Sequence, residues 1–430
     1  MRFLFVVFVV TSLLSCSKSP SNNTPQLPAL TTSTVSSITA TSAVSGGNIN
    51  SDGGAAITAR GVCWSTTPNP TISGSRTADG TGAGSFTSNI TGLNPGAIYY
   101  LRSYATNTAG TSYGNEISFT TATPTVYAAG YESIGSASFA KVWTNGTGTN
   151  LTNGNFIAKA QSIFVSGADV YVAGIEHNAS GSFPMLWKNG VPTVLSTVPN
   201  SNAYSVYVSN SDVYVAGEEN LPTNLTARLW KNGSPVSLSG ANISSFATSV
   251  FISGTDTYVS GSDFVSSINK AAVWKNGTAT VLSTAYGIGY SVFVSGTDVY
   301  VAGWERPGSS GSPYIAKIWK NGSGTSLSDG SNTAYATSVF VSGNDVYVAG
   351  FEYNGSKYVA KLWKNGIATS LTDGSNNAGA YSVYVLGSDV YVGGYENNGS
   401  KDVAKVWKNG TATSLTDGTN WALVNSIFVK

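Results

Sequence analysis

The chain has few ionisable side chains and almost no histidine. Charged residues make up only 10% of its 430 residues, and the formal net charge is +1. Proteins that bind nucleic acid need a basic surface to neutralise phosphates, so this composition excludes nucleic acid as a partner. The single histidine, His177, has no second histidine with which to build a metal site. We therefore expect no metal and no cofactor.

The first residues have the pattern of an export signal. Arg2 precedes the apolar run "FLFVVFVV", which is too short to cross a bilayer as a helix, and "LLSC" follows. With Leu13, Ser15 and Cys16 in place, this segment resembles the lipobox of bacterial lipoproteins. The resemblance implies that residues 1–15 are a signal peptide and that Cys16 is acylated. An ordinary secretory signal that contains a cysteine is the alternative.

An acylated Cys16 has consequences for the rest of the chain. The protein would be exported and held by its lipid at the outer membrane or cell surface, with the membrane as one partner. Cys63, the second of two cysteines, would then have no partner for a disulfide, and its apolar setting in "GVCWST" predicts a small buried core residue. Residues 16–30, rich in Ser, Asn and Pro, are typical of a flexible tether.

Residues 31–122 have the length of one β-sandwich. In "YYLRSYA" the side chains alternate between two faces with the period of a strand. Leu93, Pro95 and Tyr99 have the spacing of a tyrosine corner, and "TNTAGTSYGNEISFTT" matches a closing hairpin. The segment thus resembles a fibronectin type III domain, an immunoglobulin-like sandwich. That resemblance implies a spacer or a protein-contact module.

Residues 123–430 contain a sevenfold repeat with a spacing of 42 to 47 residues, which is in the range of propeller blades. Each unit has four short strand candidates, and an Asn-Gly pair between the third and fourth predicts a tight hairpin. The units, aligned on a "VY" pair (once "TY"), begin at Val126, Val170, Val213, Thr257, Val299, Val346 and Val390. The tryptophans of the phrase "WKNG" ("WTNG" in the first unit) are Trp143, Trp187, Trp230, Trp274, Trp319, Trp363 and Trp407, and we assign them to the core between units.

The repeat begins and ends on incomplete units. "TTATPT" before Val126 contains no first strand, and "SIFVK" at residues 426–430 is a first strand with no second. We therefore predict an all-β protein: the sandwich, followed by a seven-bladed β-propeller closed by the C-terminal strand. The interlocked ends resemble those of many β-propeller families. The alternative, an open superhelical array, would need polar caps at both ends. We expect a monomer.

The loops between strands two and three, and between units, are longer and more variable than the hairpins, so we expect the ligand on their face. Trp304 and Trp421 interrupt the repeat on predicted loops and are candidate platforms for sugar rings or protein partners, with packing over a neighbouring loop as the alternative. The candidate ligand-binding residues are Tyr131, Glu132, Glu176, Glu219, Trp304, Glu305, Glu352, Tyr395, Glu396 and Trp421.

A carboxylate follows the strand-two glycine by two residues in every unit, with Asp263 in the fourth. A ring of acids would suit cations or sugar hydroxyls, but we favour a structural role. If Asn354-Gly355 and its counterpart in the seventh unit are two-residue turns, Glu352 lies opposite Lys357 and Glu396 opposite Lys401 as cross-strand ion pairs.

Two further repeated polar features favour structural roles. The Asp-Gly pairs that start at Asp329, Asp373 and Asp417 predict turns more than calcium ligands. Seven serines, from Ser162 to Ser426, are predicted to begin the innermost strands and to satisfy backbone groups at the channel mouth.

Three functions remain open from the sequence. The first is non-catalytic binding of a glycan or a protein by the loop-rich face. The second is a glycan-active hydrolase or lyase that uses two carboxylates near the channel mouth, since such pairs leave no local signature. The third is a structural or adhesive scaffold without a discrete pocket. No Gly-x-Ser-x-Gly elbow and no sialidase-type Asp-box is found, and His177 is assigned to a solvated loop.

Overall fold

A computed structural model describes residues 24–222, 224–238 and 244–430, and within them the regular structure consists of β-strands without helices. The predicted signal peptide and Cys16 lie outside the described residues. No helix that could span a membrane is found in the described part of the chain. Within the described residues, contacts define two compact units: one comprises the chain up to Leu93 and Ala97–Ala122, the other Asn94–Gly96 and the chain from Thr123 to Lys430.

The first unit contains two antiparallel sheets. Its strands are β1 (Ala29–Thr32), β2 (Ser42–Ser51), β3 (Ala59–Ser65), β4 (Ser75–Arg76), β5 (Gly84–Thr91), β6 (Ile98–Asn107), β7 (Gly110–Tyr113) and β8 (Ile117–Thr120). One sheet has the order β1-β2-β5; the other has the order β4-β3-β6-β7, with β8 also paired to β6. The predicted alternation of "YYLRSYA" is present in β6.

A hydrophobic core joins these two sheets. Ala43 and Ile90 from the first sheet pack in one cluster with Val62 and Leu101 from the second. Cys63 is fully buried, as predicted, and burial raises the pKa of its thiol to about 11. At the N-terminal side, the backbone NH of Gln26 already bonds to the Gly53 carbonyl at 2.8 Å, so the chain is packed before the predicted end of the tether.

The second unit is built from four-stranded antiparallel sheets, of which the described residues form seven. Sheet 1 contains β9 (Val126–Ile134), β10 (Ala137–Thr144), β11 (Thr147–Asn150) and β36 (Trp421–Val429). Sheet 2 contains β12 (Ala158–Ser166), β13 (Asp169–Asn178), β14 (Gly181–Lys188) and β15 (Val191–Val194). Sheet 3 contains β16 (Asn202–Ser209), β17 (Asp212–Leu221), β18 (Asn224–Lys231) and β19 (Ser234–Ser237).

The remaining sheets repeat this order. Sheet 4 contains β20 (Phe246–Ser253), β21 (Asp256–Val265), β22 (Ile268–Lys275) and β23 (Thr278–Val281). Sheet 5 contains β24 (Tyr286–Ser295), β25 (Asp298–Arg306), β26 (Ile315–Lys320) and β27 (Ser323–Ser326). Sheet 6 contains β28 (Ala334–Ser342), β29 (Asp345–Tyr353), β30 (Tyr358–Lys364) and β31 (Ile367–Ser370). Sheet 7 contains β32 (Ala378–Leu386), β33 (Asp389–Asn397), β34 (Asp402–Lys408) and β35 (Thr411–Ser414).

Two local features explain why each repeat folds in this way. The Asn-Gly pairs have positive φ at both positions, for example 51° at Asn189 and 80° at Gly190, which is the geometry of a two-residue hairpin turn. In strand one a bulge, such as that between Ala160 and Ser162, brings a carbonyl onto the strand-two glycine. A Cβ on Gly174 would lie 2.1 Å from the Lys159 oxygen, so only glycine fits there.

The sheets form a closed ring. β36 pairs antiparallel with β9, with Ile427 opposite Ala128 and Phe428 opposite Tyr127, as the incomplete units predicted. β36 begins at Trp421, earlier than the predicted strand at 426. The second unit is therefore a β-propeller.

A belt of aromatic rings shows the closure independently. Each first strand contributes one ring to it, and neighbouring ring centroids are 4.7 to 5.1 Å apart. Phe428 of β36 contacts both Tyr384 of β32 and Phe164 of β12, so the belt is continuous from the C-terminal strand to sheet 2. The rings of the belt are Phe164, Tyr207, Phe251, Phe293, Phe340, Tyr384 and Phe428.

The seven repeat tryptophans pack between neighbouring sheets, as predicted, and each is at most 2% exposed. Trp274 of sheet 4, for example, shares a cluster with Ala216 and Leu229 of sheet 3 and with Val250 of its own sheet. Burial of both faces of every sheet in this way supplies the main apolar contribution to stability.

Candidate functional site

A cavity of about 630 Å³ occupies the centre of the ring, on the side of the loops between strands two and three. Its wall includes the serines of all seven first strands. The hairpins between strands one and two and between strands three and four lie at the opposite face, because Asp169 and Lys188 both flank them in one sheet. We call this space the central cavity. Its size is typical of a small-ligand site.

The serines bind the backbone of the next sheet. The Ser162 hydroxyl accepts the Val206 NH at 3.1 Å, and the Ser426 hydroxyl accepts the Ile163 NH at 3.2 Å, so the contacts run around the whole ring. The prediction that they satisfy backbone groups is confirmed. Their predicted position at the strand start is wrong, because Ser162 is the fifth residue of β12, just after its bulge.

Part of the wall of the central cavity is aromatic. We define the aromatic arc as Tyr335, Phe351 and Tyr381, which line the cavity, together with Tyr395, which contacts Tyr381. Tyr381 stacks on Tyr395 with an interplanar angle of 22°, and the Phe351 ring lies 5.8 Å from Tyr381 and 4.9 Å from Tyr335. Burial, together with the nearby Asp402 carboxylate, raises the pKa of Tyr395 to about 12. Burial also raises the pKa of Tyr381 and of Tyr335. These hydroxyls keep their protons at neutral pH and remain hydrogen-bond donors.

The rest of the wall mixes apolar side chains, such as Leu225, Phe246 and Ile288, with polar ones, and it contains a carboxylate that the repeat pattern did not point to. Glu218 is 7% exposed and accepts hydrogen bonds from the Tyr204 hydroxyl at 2.8 Å and from the Asn202 amide at 2.7 Å. Burial and the adjacent Glu218 charge raise the pKa of Tyr204. Glu218 directly follows the glycine of strand two, where the other units have aromatic, aliphatic or serine residues. This departure from the repeat is the sequence feature that could have identified Glu218 as a candidate site residue.

The two tryptophans that interrupt the repeat differ in their surroundings. Trp304 lies within β25, not on a loop, and is only 4% exposed, with its ring 4.3 Å from Tyr314 and 5.2 Å from Tyr286. It is therefore a packing residue behind the aromatic arc and not an exposed platform. Trp421 is 42% exposed at the start of β36, and the Lys401 ammonium lies 5.3 Å from its ring.

Trp421 and Tyr131 share a smaller cavity of about 360 Å³ on the same face. The Lys159 ammonium lies 4.8 Å from the Tyr131 ring within it. Burial, followed by the Asp402 charge, raises the pKa of Tyr131. The structure thus brings together two of the predicted ligand-binding aromatics.

The predicted acids lie away from the central cavity, and most of them are ion-paired. Glu352 pairs with Lys361 at 3.5 Å, and Glu396 pairs with Lys405 at 2.9 Å. The predicted partners Lys357 and Lys401 are wrong, because the loop in sheet 6 comprises four residues, with Tyr353 opposite Tyr358. The longer loop shifts the register, so that Val359 lies opposite Glu352, and Lys361, opposite Gly350, lies diagonally across from the acid. The same arrangement pairs Glu132 with Lys141, Glu219 with Arg228 and Glu305 with Lys317.

The acid of sheet 2 differs from these five. The Glu176 side chain has no ion pair or hydrogen bond to the described residues, and burial raises its pKa. His177 lies within β13, opposite Ser182, and not on the predicted loop; it borders a shallow cavity with Phe156 and Asn178. In sheet 4, Asp263 is 3% exposed and has an interaction of its own.

A repeated polar cluster on the opposite face was missed from sequence. The Lys188 ammonium of "WKNG" pairs with Asp169 at 2.8 Å and lies 5.2 Å from the Tyr171 ring, while the Asn189 amide donates to the same Asp169. Sheets 3 to 7 repeat this cluster. The Asp before "VY" and the Lys after Trp recur in the sequence of these units and could have predicted the cluster. Because acid and base are matched one to one, the cluster leaves no net charge for a ligand.

No group of three or more His, Cys, Asp or Glu side chains that could hold a metal ion occurs among the described residues. The Asp329, Asp373 and Asp417 carboxylates each accept a backbone NH from the second residue after them, at 2.8 to 3.0 Å. Their role as turn residues is confirmed.

Comparisons with known proteins identify no family for the chain. No protein-family model matches it, and no curated protein matches it. Among solved structures it is similar to TolB from Acinetobacter baumannii, with a TM-score of 0.41 and 9% identity over 62% of this chain and 74% of that one. It is also similar to an acylaminoacyl peptidase from Pyrococcus horikoshii, with a TM-score of 0.42 and 10% identity over 75% of this chain and 50% of that one. Similarity this distant gives no information on function, which must be argued from the residues of the chain itself.

Proposed function

We propose that this protein is a lipid-anchored protein of the cell surface, that its C-terminal unit is a seven-bladed propeller, and that the central cavity binds a glycan without cleaving it. A fibronectin type III-like unit would space the propeller from the membrane. The two sheets of the first unit and their shared core support that part of the proposal. The exported location and the anchor depend on the sequence pattern around Cys16.

The observation that carries the glycan proposal is that the wall of the central cavity combines aromatic rings with hydroxyl groups and one buried carboxylate. Sugar rings present apolar CH faces, which pack on aromatic rings, and hydroxyls, which need donors and acceptors. The aromatic arc supplies the first surface. Glu218, held by Tyr204 and Asn202, supplies a preorganised acceptor, and serine and threonine hydroxyls are distributed around the rest of the wall.

The same cavity favours binding over hydrolysis. Glycoside cleavage by the usual route uses two carboxyl groups that flank the scissile bond. Glu218 is the one carboxyl among the described residues that line the central cavity. Of the acids predicted as ligand-binding residues, Glu132, Glu305 and Glu396 are engaged with cations outside it, and Glu176 lines a different cavity.

A glycan array probed with the purified protein tests the proposal, followed by calorimetry on the glycan that binds. We expect Tyr204→Phe to weaken binding about tenfold or more, because it removes a hydroxyl beside the buried Glu218. The matched control is Tyr214→Phe in the same sheet, whose hydroxyl contacts Asp212 on the opposite face. Its affinity should equal that of the unmodified protein.

Three results would contradict this function. Binding of no glycan would reject it in favour of the scaffold alternative. Equal glycan affinity in the Tyr204→Phe and Tyr214→Phe variants would mean that the glycan binds outside the central cavity. Release of sugar fragments during incubation, detected by mass spectrometry, would establish an enzyme.

Replacement of Cys16 tests the anchor. In cells of the source organism, Cys16→Ser is expected to move most of the protein from the membrane fraction to the soluble fraction, because the acyl chains supply the membrane affinity. Cys63→Ala is the control, since that thiol is buried in the first unit. A Cys16→Ser variant that stays with the membrane to the same extent would show that acylation is not the anchor.

A further inference from the structure

The ion pairs between strands two and three form an internal template for a binding site. In five sheets the residue opposite the strand-two glycine is a lysine or arginine that reaches the acid two residues beyond that glycine. Each cation carries its aliphatic stem along the sheet before meeting the carboxylate. These cations are Lys141, Arg228, Lys317, Lys361 and Lys405.

Sheet 2 keeps the acid and lacks the cation. Met185 stands opposite Gly174, at the position of the lysine, and Glu176 stands at the position of the acid. The nearest basic residue on the paired first strand, Lys159, is opposite Ile175 and lies over Tyr131. Glu176 therefore remains a half-buried carboxylate without a cation from the described residues.

Sheet 2 also provides space at this point. A cavity of about 340 Å³, which we call the Glu176 cavity, is lined by Glu176, Asn178 and Thr197 and by the apolar side chains of Phe156, Phe183, Met185 and Val194. Phe156 is 44% exposed and Val194 is 52% exposed, so apolar groups stand where the cavity meets solvent. An apolar entrance that leads to a carboxylate is complementary to a lysine or arginine side chain, which has an aliphatic stem and a cationic end.

We propose that the Glu176 cavity binds an ammonium or guanidinium group on an aliphatic stem, supplied by another molecule in place of the missing lysine. The cation pairs with the Glu176 carboxylate, where partial burial strengthens the attraction relative to water. The stem packs on Phe156, Phe183 and Met185, and the faces of the two phenylalanine rings add cation–π attraction near the entrance. This site is separate from the central cavity and does not depend on the glycan proposal.

Two sources can supply this group, and the probes distinguish them. Calorimetric titration of the full protein would use n-butylamine, N-acetyl-lysine methylamide, and a hexapeptide with one central lysine. N-acetyl-norleucine methylamide, which keeps a stem without the charge, is the negative probe. We expect the norleucine probe to bind at least about tenfold more weakly than the lysine probe. A hexapeptide that binds about tenfold tighter than butylamine identifies a polypeptide partner, and equal affinities identify a free amine.

Variants of this chain make the test specific. Met185→Lys restores the pair found in the other sheets, so it should fill the site from within and reduce lysine-probe binding about tenfold or more, with an unchanged or higher melting temperature. Glu176→Gln should reduce binding to a similar extent, and remains informative if the lysine does not fold into place. Glu352→Gln, in a sheet whose acid is already paired, is the matched control and should bind the probe normally.

The proposal is overturned if the unmodified protein binds the lysine and norleucine probes equally, or binds neither at tens of millimolar. It is also overturned if Met185→Lys and Glu176→Gln both bind the lysine probe as the unmodified protein does. Loss of glycan binding in Tyr204→Phe with retained lysine binding would show the two sites to be independent.

Discussion

Deletion of residues 424–430 is expected to lower the melting temperature of the propeller by more than about 10 °C or to leave it unfolded. The deletion removes Val424, Ile427 and Val429, which are at most 4% exposed, and Phe428, which links the two ends of the aromatic belt. Burial of each such side chain contributes about 1.5–3 kcal/mol. The sum is comparable to the whole stability of a typical domain. Differential scanning calorimetry provides the measurement.

Removal of Lys430 alone is the control for this deletion. Its side chain is exposed, and the melting temperature should change by no more than a few degrees, about 1 kcal/mol of unfolding free energy. A synthetic peptide of residues 421–430, added to the truncated protein, should recover part of the lost stability. If the truncated protein melts at the temperature of the full chain, the ring is not closed by β36.

Trp274→Ala is expected to cost about 3–5 kcal/mol in the free energy of unfolding. The Trp274 side chain is 0% exposed and packs between sheets 3 and 4, so its removal leaves a cavity that neither rigid sheet can fill. Equilibrium unfolding in urea, followed by far-ultraviolet circular dichroism, measures this loss.

Trp421→Ala is the matched control for Trp274→Ala. Trp421 is 42% exposed, and exposed substitutions usually change stability by less than about 1 kcal/mol. A similar loss of stability in both variants would mean that the buried repeat tryptophans do not hold neighbouring sheets together. A loss in Trp274→Ala alone confirms their role.

Local signals in the sequence predicted the elements that depend on neighbouring residues. The Asn-Gly pairs predicted hairpins because positive φ at two successive positions is acceptable for few other pairs. The incomplete units at Val126 and at residues 426–430 predicted that the two ends pair, because an unpaired strand edge and an exposed apolar face are both unfavourable. Neither prediction depends on the three-dimensional arrangement of the sheets.

The site was harder to predict because its members come from different sheets. Glu218 and Tyr381 are far apart in sequence and meet only across the central cavity. Trp304 was expected on an exposed loop, but β25 continues through it and the aromatic residues around it close over its ring. Isolated breaks in a repeat show that a position is special without showing whether it faces solvent or the core.

The partners of Glu352 and Glu396 show where sequence reasoning ends. Their position in each repeat was evident from the letters, but their lysines depended on a loop two residues longer than the turn that was assumed. By itself the sequence determined the all-β class, the repeat, its hairpins and the strand that closes it, since each follows from local pattern or from counting strands. Only the tertiary structure decided which side chains face the central cavity and which acids have partners. The physical reason is that side chains alternate along a strand. One bulge moves the side chains that follow it to the other face, whereas two added loop residues keep the face but change every cross-strand partner.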